Sequence, residues 1–146
     1  MSEENQKKVQ EKLMLYQILQ NQLEELTSQG SLLEQRVSEL DSTENALREM
    51  KTADTDAEAL IPMGAGCYAH GSVREKNKFI VEIGAGIMAN KSLEEAVAII
   101  EGRKKEIKDL ASKLNREIEN LNRMFTQTAM ELQQLSAENQ EKIKVD

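Results

Sequence analysis

No tryptophan occurs among these 146 residues, and tyrosine and phenylalanine contribute two each, so aromatics are 3% of a chain that is 31% charged. That is poor material for a round hydrophobic core. A single cysteine excludes an internal disulfide, and Cys67 and His70, each alone of its kind, complete neither a zinc site nor a nucleophile–base pair within one chain. No apolar run approaches the roughly 18 residues that a membrane span needs; the longest candidate, Phe79 to Ile83, is broken by Glu82. No N-terminal stretch has the layout of a signal peptide, so a cytosolic location is expected. Clustered Lys and Arg are wanting too, and a formal net charge of −7 argues against a phosphate-backbone partner. Neither nucleic acid nor membrane is expected to bind.

Nucleotide chemistry is excluded on similar grounds. There is no Walker sequence. Gly84-Ala85-Gly86-Ile87-Met88-Ala89 has the letters GxGxxA, but the following helix starts at Ser92 and not at the glycines, so no helix N-terminus would meet a pyrophosphate. Gly64-Ala65-Gly66 leads into a strand and fails sooner. The carboxylates lie on exposed helix faces where solvation and i to i+4 partners account for them, and no enzyme activity or cofactor is expected.

What the chain has in plenty is heptads. Leu19, Leu26, Leu33, Leu40 and Leu47 stand one heptad apart, with Val9, Tyr16, Leu23, Gly30 and Val37 at the alternating a positions. Lys12 and Glu44 fall on this seam near its ends, where water is expected to reach them. Gly30 sits mid-seam at a cost of about 0.5–1 kcal/mol relative to Ala, either a tolerated weak spot or the mark of a bend or close partner backbone. A second series, Leu93, Ile100, Ile107, Leu114, Leu121, Thr128 and Leu135, alternates with Val97, Ala111, Ile118, Phe125 and Leu132, interrupted by Lys104. Ser92 to Glu95 reads as a capping box that starts this helix.

Each helix spans roughly 45–50 residues, about 70 Å, and equal arms suggest an antiparallel hairpin within one chain, intermolecular pairing being the alternative. Folding back places Leu40 beside Lys104, Leu33 beside Ala111, Leu26 beside Ile118 and Leu19 beside Phe125. Residues 1–53 are thus expected as an N-terminal coiled-coil helix, 54–91 as a loop with two β-hairpins, and 92–146 as a C-terminal coiled-coil helix with a frayed tail.

Between the arms, Thr52 to Glu58 is polar and acidic, suited to a helix end and a loop. Phe79 to Ile83 is β-branched and apolar, and Cys67, Ala69, Gly71 and Val73 alternate with Tyr68, His70, Ser72 and Arg74. On that alternation Cys67 is expected to pack and His70 to be solvated. Gly64-Ala65-Gly66 returns twenty residues on as Gly84-Ala85-Gly86, each where a strand must bend or bulge, which yields two short hairpins. Isolated hairpins are barely stable and leave sheet edges unpaired, so they should associate with further copies or a sibling chain.

One anomaly stands out. Leu13, Met14, Leu15 and Ile18 fall at positions e, f, g and c, off the seam, whereas from Glu24 to Glu49 the off-seam positions are almost all polar, Leu32 and Ala46 excepted. Antiparallel alignment brings Met124, at g, and Met130, at f, to the same free end. Burying each such side chain is worth about 1.5–3 kcal/mol, and flexible, polarizable Met suits a site that accepts many shapes. Promiscuous apolar binding is indicated, with a neighbouring helix in a bundle as the alternative.

Leu60-Ile61-Pro62-Met63-Gly64-Ala65-Gly66, then Val81-Glu82-Ile83-Gly84-Ala85-Gly86, then Lys91-Ser92-Leu93-Glu94-Glu95-Ala96, set between two coiled-coil arms, resembles the prefoldin alpha-subunit family in its archaeal form over essentially the whole chain. The resemblance implies a mainly α fold: a long antiparallel two-helix coiled coil whose two β-hairpins at the closed end assemble into an oligomeric β-barrel platform. It implies a hetero-hexamer of two alpha-type and four beta-type subunits. It also implies coiled-coil tips that hold nonnative polypeptides and deliver them to a group II chaperonin without ATP. By position, Leu13, Met14, Leu15, Ile18, Met124 and Met130 would contact clients, and Ile61, Met63, Cys67, Ala69, Phe79, Val81, Ile83, Ile87 and Met88 would serve barrel assembly. The rival reading from the residues is a coiled-coil scaffold or tether for one defined partner.

Overall fold

The computed structural model describes residues 3–53 and 57–145, with the side chains of 140–145 outside that description; part of the acidic stretch Thr52 to Glu58 therefore lies outside the described residues. Helix α1 runs Glu3–Thr52 and helix α2 runs Leu93–Val145. Between them come strands β1 (Glu58–Gly64), β2 (Cys67–Ser72), β3 (Phe79–Gly84) and β4 (Ile87–Lys91), paired as two separate antiparallel hairpins, β1 with β2 and β3 with β4. Among the described residues no helix is long and apolar enough to cross a membrane.

The chain forms two compact units. One holds Met1–Glu34 with Asp109–Asp146 and so carries both termini; the other, Gln35–Lys108, carries the hairpins. In each, α1 and α2 pair antiparallel within the chain. In the terminus-bearing unit Phe125 stacks on Tyr16, ring centroids 4.5 Å apart, and Leu19, Leu114 and Thr128 are buried in the seam. In the hairpin-bearing unit Leu40, Leu93, Ala96 and Ile100 form the core. Every a and d position of α1 from Val9 to Leu47 is buried or half-buried, because a 3.5-residue repeat keeps one stripe of each helix turned to its partner.

Glu44 corrects one expectation. It is not reached by water but is 8% exposed, because Lys104 stands opposite and their charges meet within the seam. Lys104 Nζ donates to Glu44 Oε2 at 2.5 Å and to Asp41 Oδ1 at 2.8 Å, and Arg48 donates to Glu44 Oε1 at 2.9 Å and also to Glu101. At Gly30 α1 continues unbroken, and a Cβ there would meet Leu114 Cδ2 at an ordinary 3.6 Å, so no close partner backbone requires the glycine. It is the tolerated weak spot.

Each Gly-Ala-Gly makes the hairpin turn as well as the irregularity beside it. Gly64 pairs with Cys67 and Gly84 with Ile87, which leaves Ala65-Gly66 and Ala85-Gly86 as two-residue loops, and the register shifts just before each turn, between Pro62 and Gly64 and between Glu82 and Gly84. All four loop residues have positive φ, Ala65 at 52° and Ala85 at 51°, as a type I′ turn demands of both central residues.

At the start of α2, Ser92 Oγ accepts from the Glu95 amide at 3.2 Å and donates to the Glu95 carboxylate at 3.1 Å. The Leu93 amide donates to Asn77 Oδ1 at 3.2 Å, so the polar link between the hairpins supplies a second cap. Arg103 donates to the carbonyl of Glu82 and thus ties α2 to β3.

Candidate functional site

Two apolar surfaces are left uncovered, one in each unit. In the terminus-bearing unit Leu13, Met14, Ile18, Met124 and Met130 are exposed, whereas Leu15 is half-covered. Two cross-helix contacts bring these stretches together. Lys12, beside Leu13, forms an ion pair with Glu131, beside Met130; Tyr16 stacks on Phe125, beside Met124. The exposed residues therefore ring this part of the coiled coil instead of making one flat patch: Ile18 and Met124 lie on its g/c flank, and Leu13, Met14 and Met130 at e and f positions.

The seam beneath them is itself part polar. Thr128 is buried at a d position and satisfies its hydroxyl by donating to the Met124 carbonyl at 2.8 Å, the i−4 bond that a helix offers a buried threonine. The Lys12 ammonium holds the Glu131 carboxyl below the usual carboxylate range. The exposed apolar residues stay outside because they stand off the a and d positions that form the seam.

In the hairpin-bearing unit Ile61, Met63, Cys67, Ile83, Ile87 and Met88 are exposed, and Ala69, Phe79 and Val81 are half-covered. Cys67 is thus not packed within the chain, since it stands at the mouth of a turn with no layer over it. His70 is solvated and faces Glu58, Nδ1 to Oε1 2.5 Å. Sequence reasoning missed Leu60, Tyr68 and Ile80, which are exposed too. Leu60 is paired with His70 and Pro62 with Tyr68, so Leu60 and Tyr68 sit on the face opposite Ile61 and Ala69. Alternation marks the two faces of the hairpin but not which of them a partner covers, so no signal in the sequence singled these residues out.

Also missed was a groove of about 390 Å³ in the terminus-bearing unit, lined by Leu26, Gln29, Leu32, Leu33, Leu110, Lys113, Leu114 and Glu117. Leu32 stood out in the sequence as an off-seam exception; its counterpart Leu110, at a g position two heptads from Met124, was the overlooked signal.

The ionised cluster in the hairpin-bearing unit is the strongest electrostatic feature. Hydrogen bonding from Lys104, and next from Arg48, holds the Glu44 carboxyl down at about 2, against the opposing pull of burial. Asp41 and Glu44 raise the Lys104 ammonium, and Glu44 raises the Arg48 guanidinium. This cluster fastens the seam, with Glu44 buried at its centre and Asp41, Arg48 and Glu101 reaching solvent around it. Among the described residues no group of three His, Cys, Asp or Glu is gathered as a metal site requires.

Comparison with known proteins bears on these surfaces. The sequence profile described as "Prefoldin subunit" matches residues 19–138. The prefoldin subunit alpha of Archaeoglobus fulgidus is 31% identical over 136 residues, 93% of this chain and 97% of that one. That of Thermofilum pendens is 35% identical over 98 residues, 67% of this chain and 76% of the relative. Among solved structures, a chain of filamentous PFD from Methanocaldococcus jannaschii, 23% identical, superposes with a TM-score of 0.68 over 80% of this chain and 96% of its own.

Proposed function

This chain belongs to the prefoldin subunit family, and from that premise we propose that it is the alpha-type subunit of a cytosolic, ATP-independent holdase. Apolar side chains of the terminus-bearing unit grip exposed apolar segments of nonnative polypeptides, and the captured chain passes to a group II chaperonin. The hairpins join two copies to four beta-type subunits through a β-barrel built from Ile61, Met63, Cys67, Ala69, Phe79, Val81, Ile83, Ile87 and Met88.

The observation that carries this reading is the ring of Leu13, Met14, Ile18, Met124 and Met130 left in solvent around the coiled coil of the terminus-bearing unit. Each such side chain gains about 1.5–3 kcal/mol on full burial, and a client covers each only in part, so single contacts are weak. Several subunits acting on one client raise the effective concentration and turn weak contacts into a firm but reversible hold. Release then needs no nucleotide, because contacts break one at a time. Three Met residues in the ring, unbranched and polarizable, adapt to clients of differing shape. Exposed apolar groups on both faces of the first hairpin support assembly in the same way, since unpaired edges and uncovered faces demand a partner.

The test is the variant Leu13→Ser/Met14→Ser/Leu15→Ser/Ile18→Ser. It should retain helix content and hexamer assembly with a beta-type sibling, yet lose suppression of client aggregation. Suppression equal to that of the parent would remove the proposal. Competition among unrelated denatured proteins for one bound client is expected; its absence, with saturable binding of one folded partner, would support a tether instead.

A further inference from the structure

Leu32 and Leu110 are 66% and 52% exposed and line one groove, and two heptads along the same flank Ile18 and Met124 are 50% and 49% exposed. The arrangement repeats because each pair combines a c position of α1 with a g position of α2, stepping by heptads in opposite directions along antiparallel helices. Midway between the two apolar pairs the same step places Glu25 and Glu117, both exposed, with no ion pair to either among the described residues. Among the described residues Lys113, exposed on the groove rim, is the one cation on this flank between the pairs, so two carboxylates against one ammonium leave this stretch net negative, with about 21 Å between the apolar pairs at 1.5 Å rise per residue.

We propose that this flank is a bipartite docking face for an extended segment of a nonnative polypeptide with two apolar anchors about six residues apart and a Lys or Arg between them. The spacing follows from a rise of about 3.3 Å per residue in an extended chain. One anchor enters the groove at Leu32 and Leu110, the other lies against Ile18 and Met124, and the intervening cation meets the two carboxylates. Charge selects the occupant: a segment with Asp or Glu at its centre would bring like charges together and be rejected. The inference rests on the holding role above and adds a preference among clients, since apolar content alone would not discriminate between basic and acidic segments.

The probe is a fluorescein-labelled dodecapeptide with leucine at its third and ninth positions, arginine at its fifth, which an extended chain turns to the same face, and serine elsewhere, compared by anisotropy with the same peptide bearing glutamate at its fifth. The full chain should bind the arginine peptide about tenfold more tightly. Leu32→Ser/Leu110→Ser should weaken that binding by about tenfold, and Glu25→Lys/Glu117→Lys should reverse the preference. Affinity unchanged in either double variant overturns the docking face. So does a change in oligomeric state on sedimentation of the Leu32/Leu110 variant, which would make the flank a contact between copies. Failure here is separable from failure of the holding role: if the quadruple serine variant loses aggregation suppression while both double variants bind peptide like the parent, the face falls and the holdase stands.

Discussion

At the scale of single residues, the chain keeps two kinds of local weakness. Gly30 occupies a helix interior where a methyl group would only make van der Waals contact with Leu114, so Gly30→Ala should stabilise the chain by about 0.5–1 kcal/mol in urea unfolding. A loss of stability would mean that the two helices approach more closely at this point. Ala65 and Ala85 are the opposite case, alanines held at positive φ where a side chain costs about 1–2 kcal/mol. Ala65→Gly and Ala85→Gly should each slow hydrogen exchange at the neighbouring strand amides, Cys67 and Ile87; faster exchange would contradict the turn geometry. The repeat of Gly-Ala-Gly showed that something bends there, but not that it was the turn itself, because a glycine permits positive φ without requiring it. Glu44 was harder still. A carboxylate on a seam reads as a defect until its partner, 60 residues away, is known to stand opposite.

Among the elements, the helices were the most legible, since a heptad pattern sustained over six turns or more allows one face and no other. The cross-helix alignment was read to within about a turn: Lys104, expected beside Leu40, bonds Asp41 and Glu44, and Phe125, expected beside Leu19, stacks on Tyr16. What periodicity does not encode is which polar seam residues find each other, and that sets the pH behaviour of the pair. Glu44 drops from an ordinary 4.5 to about 2 on folding through Lys104 and Arg48. A depressed carboxyl contributes stability that is fully present above the unfolded value and is lost as pH falls through the folded one. The midpoint of thermal unfolding, followed by circular dichroism, should therefore decline between pH 4.5 and about 2. Glu44→Gln should lower it at neutral pH and flatten the decline. Some slope should persist, because Lys12 depresses Glu131 in the same direction; a variant with the parent's full slope would refute the assignment to Glu44. The hairpins were legible as strands, yet the exposure of Leu60, Tyr68 and Ile80 was not, since alternation identifies two faces without saying whether a partner covers one or both.

For the whole molecule, the chain leaves apolar surface in two separate places, one in each unit, which its composition alone would not separate. Family membership accounts for the arrangement of helices and hairpins; the proposed holding role rests on which side chains that arrangement leaves wet. The central claim is that nonnative polypeptides bind at the terminus-bearing unit. A photoreactive benzoylphenylalanine placed singly at Met14, at Met130, or at the exposed Lys105 of the hairpin-bearing unit, in chains incubated with a denatured client and irradiated, tests it most directly. Adducts should form from Met14 and Met130 and be displaced by a second, unlabelled denatured protein, with none from Lys105. Adducts absent at both methionine positions, or as frequent at Lys105, would contradict it.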